Sequence, residues 1–166
     1  MGSGKSSVGK FLSEISDIKY YDLDELIEES QQKSITDIFR SDGEIYFRKI
    51  ESVIFRETLQ KKESYILALG GGTPCYANNH ELLHSPDVIS VYLKASVDTL
   101  ITRLQKEQYN RPLIAHLSQS ELQDYVRKHL FDRGYYYHQA RYILSTDNKT
   151  LQEIAQELFS IIENQA

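Results

Sequence analysis

The stretch Gly2-Ser3-Gly4-Lys5-Ser6-Ser7 has the residue types of a phosphate-binding loop. Small residues let successive backbone N–H groups point at the β- and γ-phosphates of a nucleotide. The lysine adds a positive charge, and the hydroxyl after it is a natural Mg²⁺ ligand. Gly4, Lys5 and Ser6 match the end of the pattern G-x-x-x-x-G-K-[ST], whose first glycine would precede Met1. The stretch predicts binding of ATP phosphates, and a flexible N-terminal tail is the alternative.

Two carboxylates, Asp22 and Asp24, follow a short predicted strand. Residues two apart on an extended chain project to the same side, and the carboxyl end of a strand is where open α/β sheets bind ligands. One carboxylate could hold Mg²⁺ while the other orients a substrate hydroxyl or accepts its proton. The alternative is that Asp24 caps a helix beginning at Glu25.

Arg48 and Glu51 lie three residues apart on a predicted helix, so they can form an ion pair that fixes the guanidinium group. A solvent-exposed pair at this spacing is common. The flanking residues Phe39 and Phe47 favour a half-buried setting, in which an arginine needs a carboxylate partner.

Gly70, Gly71 and Gly72 follow an apolar strand, and three glycines there allow the backbone to approach a ligand closely. A plain turn is the alternative. Many phosphate-loop enzymes place a metal-directing aspartate at this point. Because this chain has none, Asp22 becomes the candidate metal carboxylate.

Two further arginines have residue types suited to anions. Arg111 lies in the polar segment Lys106–Ser118, which is expected to be a loop or a mobile flap. An arginine on a loop that closes over ATP could neutralise charge on the transferred phosphoryl group. Arg133, expected between a helix and the last strand, could act with Arg48 to bind a carboxylate through its planar fork.

The elements that must position these residues alternate between short apolar runs and longer amphipathic runs, which favours βα units and a parallel sheet. The predicted strands are Lys19–Tyr21, Tyr65–Leu69, Val88–Leu93 and Tyr142–Thr146. The predicted helices are Ser6–Ile15, Ile45–Leu59, Val97–Leu104, Ser120–Leu130 and Thr150–Ile162. We expect Ser96 to cap the third helix and Thr150 with Glu153 to form a capping box.

The buried side of the second helix is predicted to carry its aliphatic residues, at roughly helical spacing. These are Ile45, Ile50, Val53, Ile54 and Leu59.

Only four strands can be counted, whereas a doubly wound sheet with a phosphate-binding loop normally has a buried strand before that loop. We therefore expect a fifth strand ahead of Gly2, in a protein that begins upstream or in a sequence that has been trimmed. The intact mass of the native protein would test this expectation.

Composition narrows the class of protein. A chain of 166 residues with 40% hydrophobic residues is large enough for one domain with a real core. The net charge of −5 disfavours a nucleic-acid partner, and no apolar run predicts a membrane span or a signal peptide. A single cysteine, Cys75, excludes an internal disulfide and fits a reducing compartment, so a cytoplasmic protein is expected.

Taken together and in this order, the motifs resemble those of the shikimate kinase family, and they span nearly the whole chain. The matched elements are Gly2-Ser3-Gly4-Lys5-Ser6, Asp22-x-Asp24, Gly43-Glu44-x-x-Phe47-Arg48-x-x-Glu51, Gly70-Gly71-Gly72, Arg111-Pro112-Leu113, and Arg133 with Tyr137 and Ala140. The chain departs from the family pattern in the first loop glycine, the first strand, and a long stretch between Arg103 and Arg111.

The resemblance implies a three-layer α/β/α P-loop kinase fold, with a central parallel sheet of five strands in the order 2-3-1-4-5. Residues 1–166 would form one domain, with a shikimate-binding segment at about 24–60 and a lid at about 106–118. The implied reaction transfers the γ-phosphate of ATP to the 3-hydroxyl of shikimate, within aromatic amino-acid biosynthesis. A monomer with shikimate and ATP as its partners is expected.

The resemblance also implies a role for each matched residue. On the nucleotide side, the loop from Gly2 to Ser7 would bind the ATP phosphates, Arg103 would stack on adenine and Arg111 would be the lid arginine. Ser6 would ligate Mg²⁺, and Asp22 would assist the metal through water.

On the acceptor side, Asp24 would bind the substrate hydroxyls and serve as the base. Arg48, Arg133 and the glycines Gly70, Gly71 and Gly72 would hold shikimate. The two arginines would bind its carboxylate.

Two other classes of function remain. One is another small-molecule kinase of this architecture, such as a gluconate or nucleotide kinase. The Arg48 and Arg133 pair with the triple glycine favours a cyclic carboxylic acid instead. The other class is a nucleotide-binding module that has lost catalysis, which the incomplete loop leaves open. The residues that argue against it are Asp22, Asp24, Arg48 and Arg111.

Overall fold

The chain is an α/β protein with parallel strands, and the computed structural model describes residues 2–108 and 114–165. In chain order its elements are α1 (Lys5–Ser16), β1 (Lys19–Asp22), α2 (Leu23–Gln31), α3 (Ile35–Ser41), α4 (Gly43–Leu59), β2 (Tyr65–Ala68), a 3₁₀ turn (Thr73–Cys75), α5 (Asn79–Leu82), β3 (Val91–Lys94), α6 (Val97–Glu107), α7 (Gln119–Tyr137), β4 (Tyr142–Ser145) and α8 (Leu151–Glu163).

The helix ends follow local capping chemistry. The Ser96 hydroxyl accepts a hydrogen bond from the Thr99 N–H at the start of α6. Thr150 and Glu153 form the expected capping box at the start of α8. Both capping predictions are confirmed, because each cap depends on a few neighbouring residues and on no distant contact.

The strands form two separate parallel pairs. Strand β1 pairs with β2 in the register Lys19 to Tyr65, and β3 pairs with β4 in the register Val91 to Tyr142. Each of the four predicted strands is present, although β3 begins three residues later than predicted. Among the described residues, no strand joins β2 to β3.

Helices cover both faces of the β1–β2 pair. Ile66 of β2 packs with the cluster formed by α1 and α8, which includes Val8 and Leu158. Leu67, the next residue, packs with the cluster formed by α2, α3 and α4. Successive side chains of a strand point to opposite faces, so the strands lie in a middle layer between two layers of helices.

A cavity of about 1140 Å³ separates the two strand pairs. It is bordered by Tyr65–Leu69 on one side and by Ile89–Leu93 on the other. Apolar side chains of α1, α6, α7 and α8 close it, and at one end it reaches Lys5 and Arg133. The edges of β2 and β3 that face the cavity have no strand partner in the described part of the chain.

The buried face of α4 differs from the predicted one. Ile45 and Val53 are 77% and 49% exposed, whereas Phe47, Glu51 and Phe55 are buried. The prediction was wrong for Ile45 and Val53 because it assigned the buried side by aliphatic character. The buried face of α4 instead carries Phe47 and Phe55, with the carboxylate of Glu51 between them.

Two helical glycines provide a test of how closely α1 packs against β1. A Cβ on Gly9 of α1 would lie 2.5 Å from Cε2 of Tyr20 on β1, whereas a Cβ on Gly134 of α7 would meet nothing within 4 Å. We expect Gly9→Ala to lower the melting temperature, because α1 and Tyr20 would have to move apart. Gly134→Ala should stabilise the protein by roughly 0.5–1 kcal/mol through the helix preference of alanine. Equal effects of the two substitutions on thermal unfolding would contradict this close contact.

Candidate functional site

The predicted phosphate-binding loop leads directly into α1. Gly2 and Gly4 have φ values of 73° and 85°, which favour glycine, and α1 begins at Lys5 immediately after them. The first N–H groups of a helix lack intrahelical partners and attract anions. The loop therefore has the local structure that phosphate binding requires, and Ser6 and Ser7 are exposed at its end.

Arg103 ties this loop to the carboxyl end of β4. Its guanidinium donates to the Ser3 carbonyl at 3.5 Å, to the Thr146 hydroxyl at 3.2 Å and to the Thr146 carbonyl at 3.1 Å. Three acceptors thus hold Arg103 next to the loop, and its contact with adenine stays a prediction.

Asp22 ends β1 and gathers three hydrogen bonds on its carboxylate. Its Oδ2 accepts from the Ser6 hydroxyl at 2.9 Å and from the Tyr20 hydroxyl at 3.0 Å, while Oδ1 accepts from the Asp24 N–H at 3.1 Å. Asp22, rather than Asp24, is therefore the cap of α2. Because the strand ends at Asp22 and Asp24 lies in α2, the prediction that both carboxylates project from extended chain was wrong.

Ser6 and Asp22 have the chemistry of a magnesium site. A hydroxyl and a carboxylate lie 2.9 Å apart beside the phosphate-binding loop, and Mg²⁺ prefers such oxygen ligands together with water and substrate phosphates. Among residues 2–108 and 114–165, no group of three or more His, Cys, Asp or Glu residues could hold a metal by itself. The residues present thus fit a metal ion whose remaining ligands are water and the phosphates of a bound nucleotide.

Tyr20 is a site residue that the sequence reasoning missed. It lies two residues before Asp22 on β1, so the two side chains share a face of the strand, and this spacing was the available signal. Burial raises the pKa of the Tyr20 phenol, and the charge of Asp22 adds to the effect. The hydroxyl therefore stays protonated and donates to the carboxylate.

Asp24 lies on the first turn of α2, within the same group of charges. Its outer surface is exposed, but Oδ1 is close enough to Gly70 to lie 3.5 Å from a Cβ placed there. Loss of solvent around the carboxyl, followed by the negative charges of Asp22 and Glu51, raises its pKa from 3.8 to about 6, against the opposing charge of Lys5. Asp24 is thus a stronger base than an ordinary aspartate and is still ionised at neutral pH.

The ion pair predicted between Arg48 and Glu51 is present on α4. Arg48 Nη1 donates to Glu51 Oε2 at 2.8 Å, and the two side chains are 15% and 1% exposed. Glu44 accepts from Nη2 of Arg48 at 3.3 Å. Burial lowers the pKa of Arg48, but the hydrogen bond and the charge of Glu51 outweigh it, so the pKa is raised and the guanidinium remains charged.

The glycine-rich loop lies against this arginine. A Cβ on Gly72 would be 2.6 to 2.8 Å from three guanidinium atoms of Arg48, so any larger residue there would displace the guanidinium group. The rings of Phe47 and Tyr76 lie 5.0 and 4.5 Å from the guanidinium carbon. Gly72 therefore allows the close backbone approach that was expected, but what the backbone approaches is the side chain of Arg48.

Arg133 reaches the same region from the other side. Because α7 continues to Tyr137, Arg133 lies on that helix and not after it as expected. The Tyr137 hydroxyl donates to the Gly71 carbonyl at 2.6 Å, and burial raises the pKa of this phenol while Arg133 opposes the shift. Cys75 feels both Arg133 and Arg48, although burial dominates and raises the pKa of its thiol.

The structure thus brings most of the predicted residues together at one end of the strands. Lys5, Gly70, Gly71 and Arg133 line the end of the central cavity. Asp24, Glu51 and Lys5 are linked by their charges. The predicted lid arginine, Arg111, lies outside the described residues.

Comparison with known proteins identifies what this arrangement is similar to. A family model described as "Shikimate kinase" matches residues 1–163. The shikimate kinase of Flavobacterium johnsoniae is 49% identical over 162 residues, which cover 98% of this chain and 94% of that protein.

Two solved structures agree with the sequence comparison. A shikimate kinase from Bacteroides thetaiotaomicron superposes with a TM-score of 0.90 at 30% identity, covering 98% of this chain and 94% of that one. A shikimate kinase from Acinetobacter baumannii in complex with shikimate gives a TM-score of 0.85 at 31% identity, covering 99% and 89%.

The raised pKa of Asp24 implies that the stability of the fold depends on pH. Between about pH 4 and 6 the folded protein binds more protons at Asp24 than the unfolded chain does. The contribution of Asp24 to the free energy of unfolding therefore falls as the pH rises through 6. Asp24→Asn removes the ionised form, so its melting temperature relative to wild type should be higher at pH 8 than at pH 4.

The matched control is Asp124→Asn on the exposed surface of α7. Thermal unfolding of the three proteins across this pH range measures the effect. A difference between Asp24→Asn and wild type that does not change with pH would contradict the raised pKa.

Proposed function

This chain belongs to the shikimate kinase family, and we propose that it transfers the γ-phosphate of ATP to the 3-hydroxyl of shikimate, giving shikimate 3-phosphate and ADP. The observation that carries the proposal is that the Asp24 carboxylate lies within reach of two charges, those of Lys5 in the predicted phosphate-binding loop and of Glu51, the ion-pair partner of the half-buried Arg48. The relative from Acinetobacter baumannii, similar over 99% of this chain, was solved in complex with shikimate.

The nucleotide end supplies charge and orientation. Backbone N–H groups of the loop from Gly2 to Ser7 and the ammonium of Lys5 would bind the phosphates of ATP. Arg103 is proposed to contact adenine, and Arg111 is proposed as the lid arginine that neutralises charge on the transferred group. Phosphoryl transfer depends mainly on such placement and neutralisation.

Ser6 and Asp22 would hold Mg²⁺, which would neutralise phosphate charge when bound. Their separation of 2.9 Å and the oxygen chemistry of both groups support this assignment. Asp22 can serve a metal because its carboxylate is already oriented by Tyr20 and by the N–H of Asp24.

The acceptor end would bind shikimate. Arg48 and Arg133 would hold its carboxylate, with the backbone of Gly70, Gly71 and Gly72 lying along the ligand. Asp24 would accept the proton of the reacting hydroxyl. Its pKa of about 6 supports this role, because a general base works best when its pKa lies near the operating pH.

The wider setting follows from this activity. We propose a single cytoplasmic domain that acts as a monomer in aromatic amino-acid biosynthesis, with the shikimate-binding segment at about 24–60 and the lid at about 106–118. Within residues 2–108 and 114–165, no helix is long and apolar enough to span a membrane.

We further propose that a fifth parallel strand lies between β2 and β3. Numbered as the first strand, it would complete the order 2-3-1-4-5. Support comes from the apolar cavity of about 1140 Å³ and from the two strand edges that face it. A strand of the usual 5–6 residues, roughly 17–20 Å long, would satisfy both edges.

Turnover by Asp24→Asn tests the assignment of the base. The rate constant kcat should fall about 100- to 10,000-fold, the usual range for loss of a general base, while ATP binding stays close to that of wild type. A coupled assay of ADP release with shikimate measures kcat, and Asp124→Asn is the control. Near-wild-type turnover would remove Asp24 from this role, and equal ADP release without shikimate would exclude the proposed acceptor.

Hydrogen exchange tests the fifth strand. In the native protein isolated from its host, the amides of β2 and β3 that face the cavity should exchange slowly, because they would be bonded to the added strand. The amides that already pair β1 with β2 provide an internal reference. Rapid exchange confined to the facing edges would show that no strand lies there.

A further inference from the structure

Four buried polar residues form a closed ring behind Arg48. The Thr73 hydroxyl donates to Glu51 Oε1 at 2.7 Å, and the Thr73 carbonyl accepts from Asn79 Nδ2 at 2.9 Å. Asn79 Oδ1 in turn accepts from the Ser52 hydroxyl at 2.9 Å. Ser52 follows Glu51 on α4, so the peptide bond between them completes the ring.

None of these groups is accessible to water. Glu51, Thr73 and Asn79 are at most 1% exposed, and Ser52 is 7% exposed. A polar group buried in this way is costly unless it is hydrogen-bonded, and a buried carboxylate is more so. The ring satisfies its members and thereby attaches the segment from Gly70 to Asn79 to one face of α4.

The ring determines how the Glu51 carboxylate is oriented. Oε1 is occupied by Thr73 and Oε2 by Arg48 Nη1, so the plane of the carboxylate is fixed at both oxygens. Arg48 depends on that plane, because Glu51 is, among the described residues, its shortest and only buried carboxylate partner, whereas Glu44 is exposed and contacts it at 3.3 Å. A rotation of Glu51 would therefore move the guanidinium against the loop.

The same loop also contacts the element that carries the second arginine. Its Gly71 carbonyl accepts from Tyr137, whose hydroxyl lies within the influence of Arg133 on α7. The ring on one side and the Tyr137 contact on the other hold the loop between the two arginines. Movement of the loop would change the spacing of the two guanidinium groups.

We propose that Thr73, supported by Asn79 and Ser52, is a positioning residue for the substrate carboxylate: it holds Glu51 so that Arg48 keeps the orientation and spacing that this carboxylate requires. This inference rests on the proposed function, because the carboxylate in question is that of shikimate. Thr73 touches neither the substrate nor the nucleotide in this role, and it acts through Glu51.

The test compares Thr73→Val with Thr73→Ser. Valine keeps the shape but removes the hydroxyl, and serine restores the hydroxyl. Since a misplacement of about 1 Å can cost about 100-fold, we expect Thr73→Val to raise the KM for shikimate about 10-fold. The KM for ATP should stay within about twofold and kcat should change less than the KM for shikimate, while Thr73→Ser recovers most of the loss.

Thr58→Val is the matched control. Thr58 is also a buried threonine, and its hydroxyl donates to the Ile54 carbonyl at 2.7 Å within α4, apart from the ring. It should lose stability as Thr73→Val does but leave the KM for shikimate unchanged. Binding of shikimate alone, measured by calorimetry without nucleotide, should weaken in Thr73→Val and not in Thr58→Val.

The outcomes separate this inference from the proposed function. If wild type phosphorylates shikimate and Thr73→Val keeps its KM for shikimate, or if its KM for ATP rises equally, the positioning role is wrong. An absence of shikimate turnover in wild type overturns the proposed function and this inference together. If Thr73→Val does not fold, Ser52→Ala opens the ring at its other side, and an unchanged KM for shikimate in that variant overturns the inference.

Discussion

The buried ion pair between Arg48 and Glu51 is the constraint around which this site is arranged. Removing two charges from water is costly, and their attraction repays the cost only when the remaining hydrogen-bonding capacity is satisfied. Both Glu51 oxygens are occupied, one by Arg48 and one by Thr73. Helix α4 provides Arg48, and the 3₁₀ turn after the glycine-rich loop provides Thr73. The pair is thus better understood as a means of orientation than as a source of stability.

Charged groups at both ends of the candidate site change the pKa of Asp24, which lies between them. Asp22, at the nucleotide end, and Glu51, at the acceptor end, both raise the pKa of Asp24, while Lys5 lowers it. The basicity of Asp24 therefore depends on Asp22, the carboxylate proposed for the metal, and on Glu51, the partner of Arg48. A bound cation or anion that alters the charge at Asp22 or Glu51 would therefore also alter the pKa of Asp24.

The sequence predicted most of what depends on local pattern and less of what depends on tertiary contacts. The helix that follows the predicted phosphate-binding loop, the Arg48–Glu51 pair and the Thr150 capping box were predictable, because each is defined by residues close together in the chain. Helix α2 entered only as an alternative, in which Asp24 caps a helix beginning at Glu25, and α3 was missed because it has only seven residues. The ring of Thr73, Asn79 and Ser52 could not be found from spacing, since it joins residues 27 positions apart and consists of ordinary polar side chains.

The contact between α1 and α8 has a consequence for how the chain folds. The segment from β1 to β2 and the segment from β3 to β4 are each continuous in the chain. By contrast, Val8 and Leu12 of α1 pack on Ile154 and Leu158 of α8, which lie far from them in sequence. Closing so long a loop is not prohibitive, because each doubling of loop length adds only about 0.6 kcal/mol. Contacts of high sequence separation nonetheless slow folding. The packing of α1, and with it the position of the loop that precedes α1, therefore depends on contacts between residues far apart in the chain.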